Sequence, residues 1–333
     1  MTLDRIPTTP PIIATVPNTD DRPLWSVMIP SYNCSRYLKD TIQSVLAAAY
    51  PWDKMQIEVI DDCSTDADIQ SLVQDAGHDR VSFFQQEKNV GSLRNFETCI
   101  NRSRGHWIHI LHGDDLVAPG FYQEVEQLFS DNPSAGAAFT GLSVIDENGN
   151  FLYHNNTVQE HKGIIPDWLY TISKAQCLRT CAIVVKRKVY EELGGYFGVH
   201  YGEDWEMFVR IASKFPVAYS PRHLALYRLH SNNISTRYLS TGQNIKDIKT
   251  VIDIIQTYLP VEKRKEIKDF SRRSFSIYFA GNAEGIYREN GDVKTALRQA
   301  RGALGLDVNK RTMTSFLKLL VKVLINFRKY RSV

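Results

Sequence analysis

The chain has 333 residues, 43% hydrophobic and 23% charged, which is the profile of an ordinary globular protein with length for one large domain or two smaller ones. A net charge of +3 is too small to argue for nucleic acid as a partner. No stretch reaches the roughly 18 uninterrupted apolar residues of a membrane span, so the chain is not expected to cross a bilayer. Five scattered cysteines (Cys34, Cys63, Cys99, Cys177, Cys181) behind no secretory pattern predict reduced thiols in a cytoplasmic protein. Cys177 and Cys181 lie four apart, but no second pair or nearby histidine completes a zinc set.

In chain order, residues 1–22 hold Pro7, Pro10, Pro11 and Pro17 among polar residues and predict a poorly ordered leader. Trp25 to Ile29 reads as a short β-prone run ended by Pro30, and Tyr37, Leu38, Ile42, Val45 and Leu46 then recur at helical spacing behind Ser35 as N-cap. The alternation continues through strands at "MQIEVIDD", "RVSFFQQ" and "HWIHILH" with helices at "TDADIQSLVQDA" and "SLRNFETCINRS". Strand and helix taking turns in units of about 30 residues predict a parallel sheet covered on both faces. Beyond Asp115 the pattern turns mixed, and after Gly242 it reads as helical, with a hairpin at Asn290-Gly291.

Open α/β sheets bind ligands at the carboxyl ends of their strands. Polar residues gather at those ends: "PSYN" (30–33), "DDCSTD" (61–66), "EKNVGS" (87–92) and "HGDD" (112–115). Neither GxGxxG nor GxxxxGK[ST] is present, which excludes the dinucleotide fold and the P-loop enzymes. Three carboxylate pairs, Asp61-Asp62, Asp114-Asp115 and Glu203-Asp204, open or close elements. Each alone is explained by a cap or turn; together they suit Mg²⁺ or Mn²⁺ shared with a diphosphate, plus an aspartate as general base.

Six blocks, "SVMIPSYNCSRYLKDTIQSVL", "IEVIDDCSTD", "NVGSLRNFETCI", "GHWIHILHGDDLVAPGF", "GEDWEMFVRIA" and "YRLHSNNIS", resemble in order the successive blocks of family 2 glycosyltransferases, over about residues 24 to 236. The resemblance implies a GT-A fold: a mainly parallel central sheet flanked by helices, here with a C-terminal helical extension. It implies an inverting transferase that moves a sugar from a UDP- or dTDP-sugar to a hydroxyl of a glycan or lipid-linked acceptor, in cell-surface polysaccharide synthesis. Carried over residue by residue, Pro30, Tyr32 and Asn33 resemble the cradle of the nucleobase and ribose, and Asp61 or Asp62 the aspartate that reads the base. Asn89, Gly91, Arg94 and Asn95 resemble the segment under the nucleotide. Asp114 matches the last aspartate of the DxD metal motif, Asp204 the catalytic base, and His230 a histidine near the diphosphate or metal. His112 stands where the family has the first aspartate; histidine is a ligand for Mn²⁺ and a poor one for Mg²⁺. Asp115 reads as a turn or cap residue, and Arg210 as solvated or paired with a carboxylate.

The expected organisation is a leader (1–22), a nucleotide-sugar-binding half (23–120), an acceptor-binding half (121–240) and a helical region (241–333). Lys310 to Val333 carries seven cations and no acid, among them Lys318, Lys322, Arg328, Lys329 and Arg331. Phe316, Leu319, Leu320, Val323, Leu324 and Phe327 occupy the other side, which suits either an anionic membrane face or packing on this protein or a second copy. Other readings are a catalytically silent nucleotide-sugar-binding or scaffolding protein, for which His112 speaks, and a nucleotidyltransferase, which would need a Gly-rich basic loop where "PSYNCSRY" stands.

Overall fold

The computed structural model describes residues 5–17, 19, 21–48, 50–230 and 234–326, with side chains from 238 onward in the last stretch. Phe327, Arg328, Lys329 and Arg331 of the basic end, and Ser231, Asn232 and Asn233 of the last family-like block, lie outside the described residues. The first third of the chain alternates as expected: β1 (Trp25–Ser31), α1 (Ser35–Ala47), β2 (Met55–Asp61), α2 (Ile69–Gly77), β3 (Ser82–Gln85), α3 (Ser92–Arg102) and β4 (Trp107–Ile110). There follow β5 (Leu116–Val117), α4 (Phe121–Asp131), β6 (Ala137–Ile145), β7 (Phe151–His154), β8 (Gly163–Ile164), α5 (Trp168–Lys174), β9 (Ile183–Lys186), α6 (Arg187–Leu193), α7 (Glu203–Ala212) and β10 (Val217–Arg228). Helices α8 (Ile234–Thr241), α9 (Gln243–Ile255), α10 (Val261–Asn290), α11 (Val293–Leu304) and α12 (Lys310–Leu324) complete the described chain. The α10–α11 hairpin turns at Gly291, as expected from Asn290-Gly291, with φ +71° at the glycine.

Among the described residues all ten strands join one sheet in the order β3-β2-β1-β4-β9-β6-β10-β5, with β7 beside β6 and β8 beside β10. β1 pairs in parallel with β2 and β4, β2 with β3, and β6 with β10. The sheet is not wholly parallel: β9 enters between β4 and β6 and runs against both. Every residue of β1 and β6 is buried, the signature of strands covered on both faces. Pro30 does not end β1. It lies inside the strand, opposite Ile60, and the strand continues to Ser31.

Two compact units result. The first holds the whole sheet and is formed by residues 1–168, 177–198 and 210–230. The second holds 169–176, 199–209 and 231–333. In it Trp205 Nε1 donates to Ile172 O at 2.6 Å and its ring packs on Phe275. No described helix is long and apolar enough to cross a membrane.

The described part of the leader differs from expectation. Residues 5–17 are held against the first unit through their carbonyls: Pro7 O accepts from Gly198 N and Pro11 O from Gly195 N, both at 2.9 Å, and Ala14 O accepts from Arg187 at 2.8 Å. Ile13 is buried. Composition warned of disorder, but prolines lack only the N–H; their carbonyls still accept, and the rigid backbone loses little entropy on docking.

Candidate active site

The carboxyl ends of β1, β2 and β3 lie side by side, because the register places Ser31 against Asp61 and Asp61 against Gln85. Beyond β4 the chain stays at the same edge: Leu111 N donates to Met28 O at 3.0 Å and Gly113 N to Pro30 O at 3.2 Å. The polar strand ends therefore form a rim.

Asp61 is fully buried and accepts from Ser64 N (2.9 Å), Ser64 Oγ (2.5 Å) and Gln85 Nε2 (3.1 Å). Ser64 Oγ in turn accepts from Asn33 N at 2.9 Å, and Asn33 Oδ1 accepts from Thr65 N at 2.8 Å. Asn33 sits at φ +50°, where asparagine is tolerated, so the two strand-end loops are laced together. The cap expected of Ser35 is supplied differently: Asp66, from the β2 loop, accepts from Ser35 N at 3.0 Å. Tyr32 remains half exposed at the rim.

Asp62 organises the next loop. It accepts from Val90 N at 2.7 Å, Gly91 N at 2.9 Å and Asn89 Nδ2 at 3.0 Å. Burial raises its carboxyl above the usual range although the two backbone N–H groups act the other way. Arg5 donates to Asn89 Oδ1, and its guanidinium also favours the Asp62 charge. Gly91 has φ +91°, and a Cβ there would stand 3.0 Å from Arg5 Nε. Asn95 is buried and binds Ile60 O (2.9 Å) and Gln86 (3.1 Å), while Arg94 pairs with Glu97 at 2.6 Å.

The turn after β4 holds the remaining candidates. Asp114 Oδ2 meets His230 Nε2 at 2.9 Å, which brings "HGDD" and "YRLH" together across 116 positions of sequence. His230 Nδ1 is buried with no hydrogen-bond partner among the described residues. Tyr37 of α1 lies against the His230 ring, centroids 4.5 Å apart, and the Arg228 guanidinium lies 5.0 Å from the same Tyr37 ring. Arg228 is buried; its Nε donates to Asp114 O at 2.9 Å and its backbone N to Asp115 Oδ1 at 2.9 Å. His112 stacks on Phe96 and turns Nδ1 toward Asp115 Oδ2, 3.9 Å away.

His112, Asp114 and Asp115 each offer a ligand atom within 4.8 Å of the others. Asp115 is buried, and its carboxyl is pushed well above the carboxylate range by desolvation and then by the charge of Asp114. A buried carboxyl beside a partly exposed carboxylate, with a partly exposed imidazole next to them, makes a donor set that fits a divalent cation. Asp115, read from sequence as a turn residue, thus belongs to the cluster as well as bracing the turn through Arg228.

Gly113 has to be small. A Cβ there would lie 2.8 Å from Cys34 Sγ, whose thiol is pushed up to about 12 by burial and by Asp114 and so remains a neutral filler. Gly113→Ala is expected to destabilise the protein by about 1–3 kcal/mol. Adding Cys34→Ala should recover most of that loss in denaturant melts, because the two side chains compete for one space.

Asp204 belongs to the second unit, in the first turn of α7. Its Oδ2 accepts from Gln176 Nε2 at 2.6 Å and its Oδ1 from Trp205 N at 2.8 Å. Its neighbour Glu203 is densely surrounded by protein, and desolvation followed by the charge of Asp204 raises it well above the carboxylate range. Arg210, farther along α7, is buried rather than solvated and donates to Leu193 O (2.5 Å) and Gly195 O (2.9 Å). Arg5 and Arg228 were not singled out from sequence. Arg228 could have been, two positions before His230 in "YRLH"; nothing in the sequence near Arg5 points to the rim.

Comparison with known proteins decides the lineage: the description "Glycosyl transferase family 2" matches residues 26–194, half of the chain. The chain belongs to glycosyl transferase family 2. It is 30% identical over 133 residues to TuaG of Bacillus subtilis (strain 168), a glycosyltransferase named for teichuronic acid biosynthesis, covering 39% of this chain and 51% of TuaG. The match thus spans about half the length of that relative. Among solved structures, S. aureus TarS 1–349 in complex with UDP-GlcNAc superposes with a TM-score of 0.63 at 14% identity, covering 92% of this chain and 91% of TarS. The mannosyltransferase PcManGT from Pyrobaculum calidifontis, in complex with GDP-Man and Mn²⁺, gives a TM-score of 0.57 at 17% identity over 95% of this chain and 90% of its own. These likenesses show the GT-A fold that the six blocks implied.

Proposed function

We propose that this family 2 glycosyltransferase moves a sugar from a UDP- or dTDP-sugar to a hydroxyl of a glycan or lipid-linked acceptor, with inversion, in cell-surface polysaccharide synthesis. The observation that carries the reading is the meeting of Asp114 and His230 at 2.9 Å on the same strand edge as the Asp61 and Asp62 loops. Pro30, Tyr32, Asn33 and either Asp61 or Asp62 hold the nucleoside, with Asn89, Gly91, Arg94 and Asn95 beneath it. Asp114, His112 and His230, with Asp115 beside Asp114 and His112 in the cluster, would hold Mn²⁺ or Mg²⁺, which when bound would stabilise negative charge on the departing diphosphate. Asp204 takes the proton of the acceptor hydroxyl.

A screen of nucleotide-sugars for thermal stabilisation and turnover, with Mn²⁺ and Mg²⁺ compared, tests this directly. A donor at a hundred times its Kd should add about 2.7 kcal/mol of stability, and a greater effect with Mn²⁺ would assign His112 as a ligand. No stabilisation by any donor with either metal would overturn the reading. His112 in place of aspartate favours a second one, a silent donor-binding protein, which the same screen separates by showing stabilisation without turnover.

Arg5 offers a narrower check. Arg5→Ala removes the group that holds Asn89, the partner of Asp62, and should weaken donor binding about three- to tenfold with little change in turnover at saturation. Calorimetric titration of donor into the variant measures it, and unchanged affinity would show that the docked leader is structural alone.

A further inference from the structure

The sequence pattern of the last helix suggested one apolar side and one basic side. The structure divides the apolar residues between two faces. Leu319 is buried among Ala283, Tyr287, Ala296 and Ala300 of α10 and α11, with Phe316 and Val323 beside it. Tyr287 Oη donates to Lys322 O at 2.9 Å, and Thr312 meets Ser276 at 3.0 Å, so this face of α12 is fully engaged. The opposite face should be polar if it met only water. It carries Met313, Leu317, Val321 and Leu324, followed by Ile325, with exposures of 37%, 54%, 56%, 83% and 52%. Residues at 313, 317, 321 and 324 fall on one line along a helix, so this is a continuous apolar stripe.

Charge selects its occupant. From Lys310 to Val333 the sequence has seven cations and no acid. Arg311 and Lys318 lie on one flank of the stripe by helical spacing; Lys322 pairs with Glu284, and Lys318 is near enough to favour the Glu284 charge without a hydrogen bond to it. A second copy docking stripe to stripe would bring like charges together. Five side chains also fall well short of the roughly 800 Å² per partner that a stable interface buries. An anionic bilayer surface meets both features, since it takes a shallow apolar face and attracts the cations beside it.

We infer that α12 docks peripherally on an anionic lipid surface through Met313, Leu317, Val321, Leu324 and Ile325, with Arg311 and Lys318 at the headgroups. This goes beyond the sugar-transfer reading and stands whether or not that reading holds.

The test is sedimentation of the full chain with vesicles of phosphatidylglycerol mixed into phosphatidylcholine, against phosphatidylcholine alone. Binding is expected on the anionic vesicles only, falling steeply as salt is raised. Leu317→Glu with Val321→Glu should reduce partitioning about tenfold or more, and Arg311→Gln with Lys318→Gln about tenfold at low salt. Both pairs change exposed side chains, so melting temperatures should match the parent protein, which separates lost docking from lost folding. Failure to bind either vesicle would overturn the inference, as would binding unaffected by both pairs. A concentration-dependent dimer in analytical ultracentrifugation that Leu317→Glu dissolves would overturn it in favour of a second copy.

Discussion

Asp114→Asn is expected to lower sugar transfer by about three orders of magnitude and to abolish stabilisation by Mn²⁺. The side chain keeps its size, and an amide oxygen can still accept from His230 Nε2, so the turn should fold normally. Arg228 helps here, because its guanidinium donates to the Asp114 carbonyl and its main-chain N–H to the Asp115 carboxylate, neither of which the substitution touches. What is lost is the charge of Asp114, the same charge that, after desolvation, pushes its neighbour Asp115 well above the carboxylate range. The loss of several kcal/mol of charge stabilisation at the departing diphosphate corresponds to the stated fall in rate. Thermal melts with and without Mn²⁺, run beside initial rates, separate the two effects. A variant that keeps metal-dependent stabilisation and transfers sugar within tenfold of the parent would move the cation site elsewhere.

The sequence made this site legible where chemistry is concentrated in short blocks. Apolar runs marked β1, β2, β3 and β4, and the acids that stop those runs marked the rim, because aspartate at a strand end is informative in a way that valine inside a strand is not. Pairing was less legible. The run "CAIVVK" reads as a strand, but no periodicity reveals that β9 slips between β4 and β6 in the opposite direction, since sheet order is decided by tertiary packing. The proline-rich leader was misread for a related reason: composition reports what a segment can do alone, while residues 5–17 are held by donors from Arg187, Gly195 and Gly198.

Individual roles within the site were readable to different degrees. Asp114 and His230 lie far apart in sequence, and only the resemblance to a family suggested both; the 2.9 Å contact shows that the fold brings them together. Asp115 looked like a turn residue because it is one, binding Arg228 N, and its second oxygen facing His112 is visible only in three dimensions. The buried Arg210 shows the same limit: an arginine in an amphipathic helix is normally solvated, and here carbonyls of Leu193 and Gly195 draw it inside.

Asp204→Asn is expected to reduce turnover by about 10²- to 10⁴-fold, the usual contribution of a general base, while leaving donor affinity within about threefold. The adjacent acids set up the division of labour. Desolvation and then the charge of Asp204 push Glu203 well above the carboxylate range, which makes Glu203 the poorer candidate for a base at neutral pH. Hydrogen bonds from Gln176 Nε2 and Trp205 N orient that carboxylate, and an asparagine oxygen can keep one of them, so folding should survive. The pH profile supplies a readout that a structural role would not move. A base works only when deprotonated, so in the parent enzyme kcat/KM should fall as pH drops through the pKa of the base, and in Asp204→Asn that acid limb should flatten. Gln176→Leu, which removes one orienting donor, should lower kcat by a smaller factor and preserve the limb. Turnover in Asp204→Asn equal to the parent, or an unchanged acid limb, would remove the base role from Asp204.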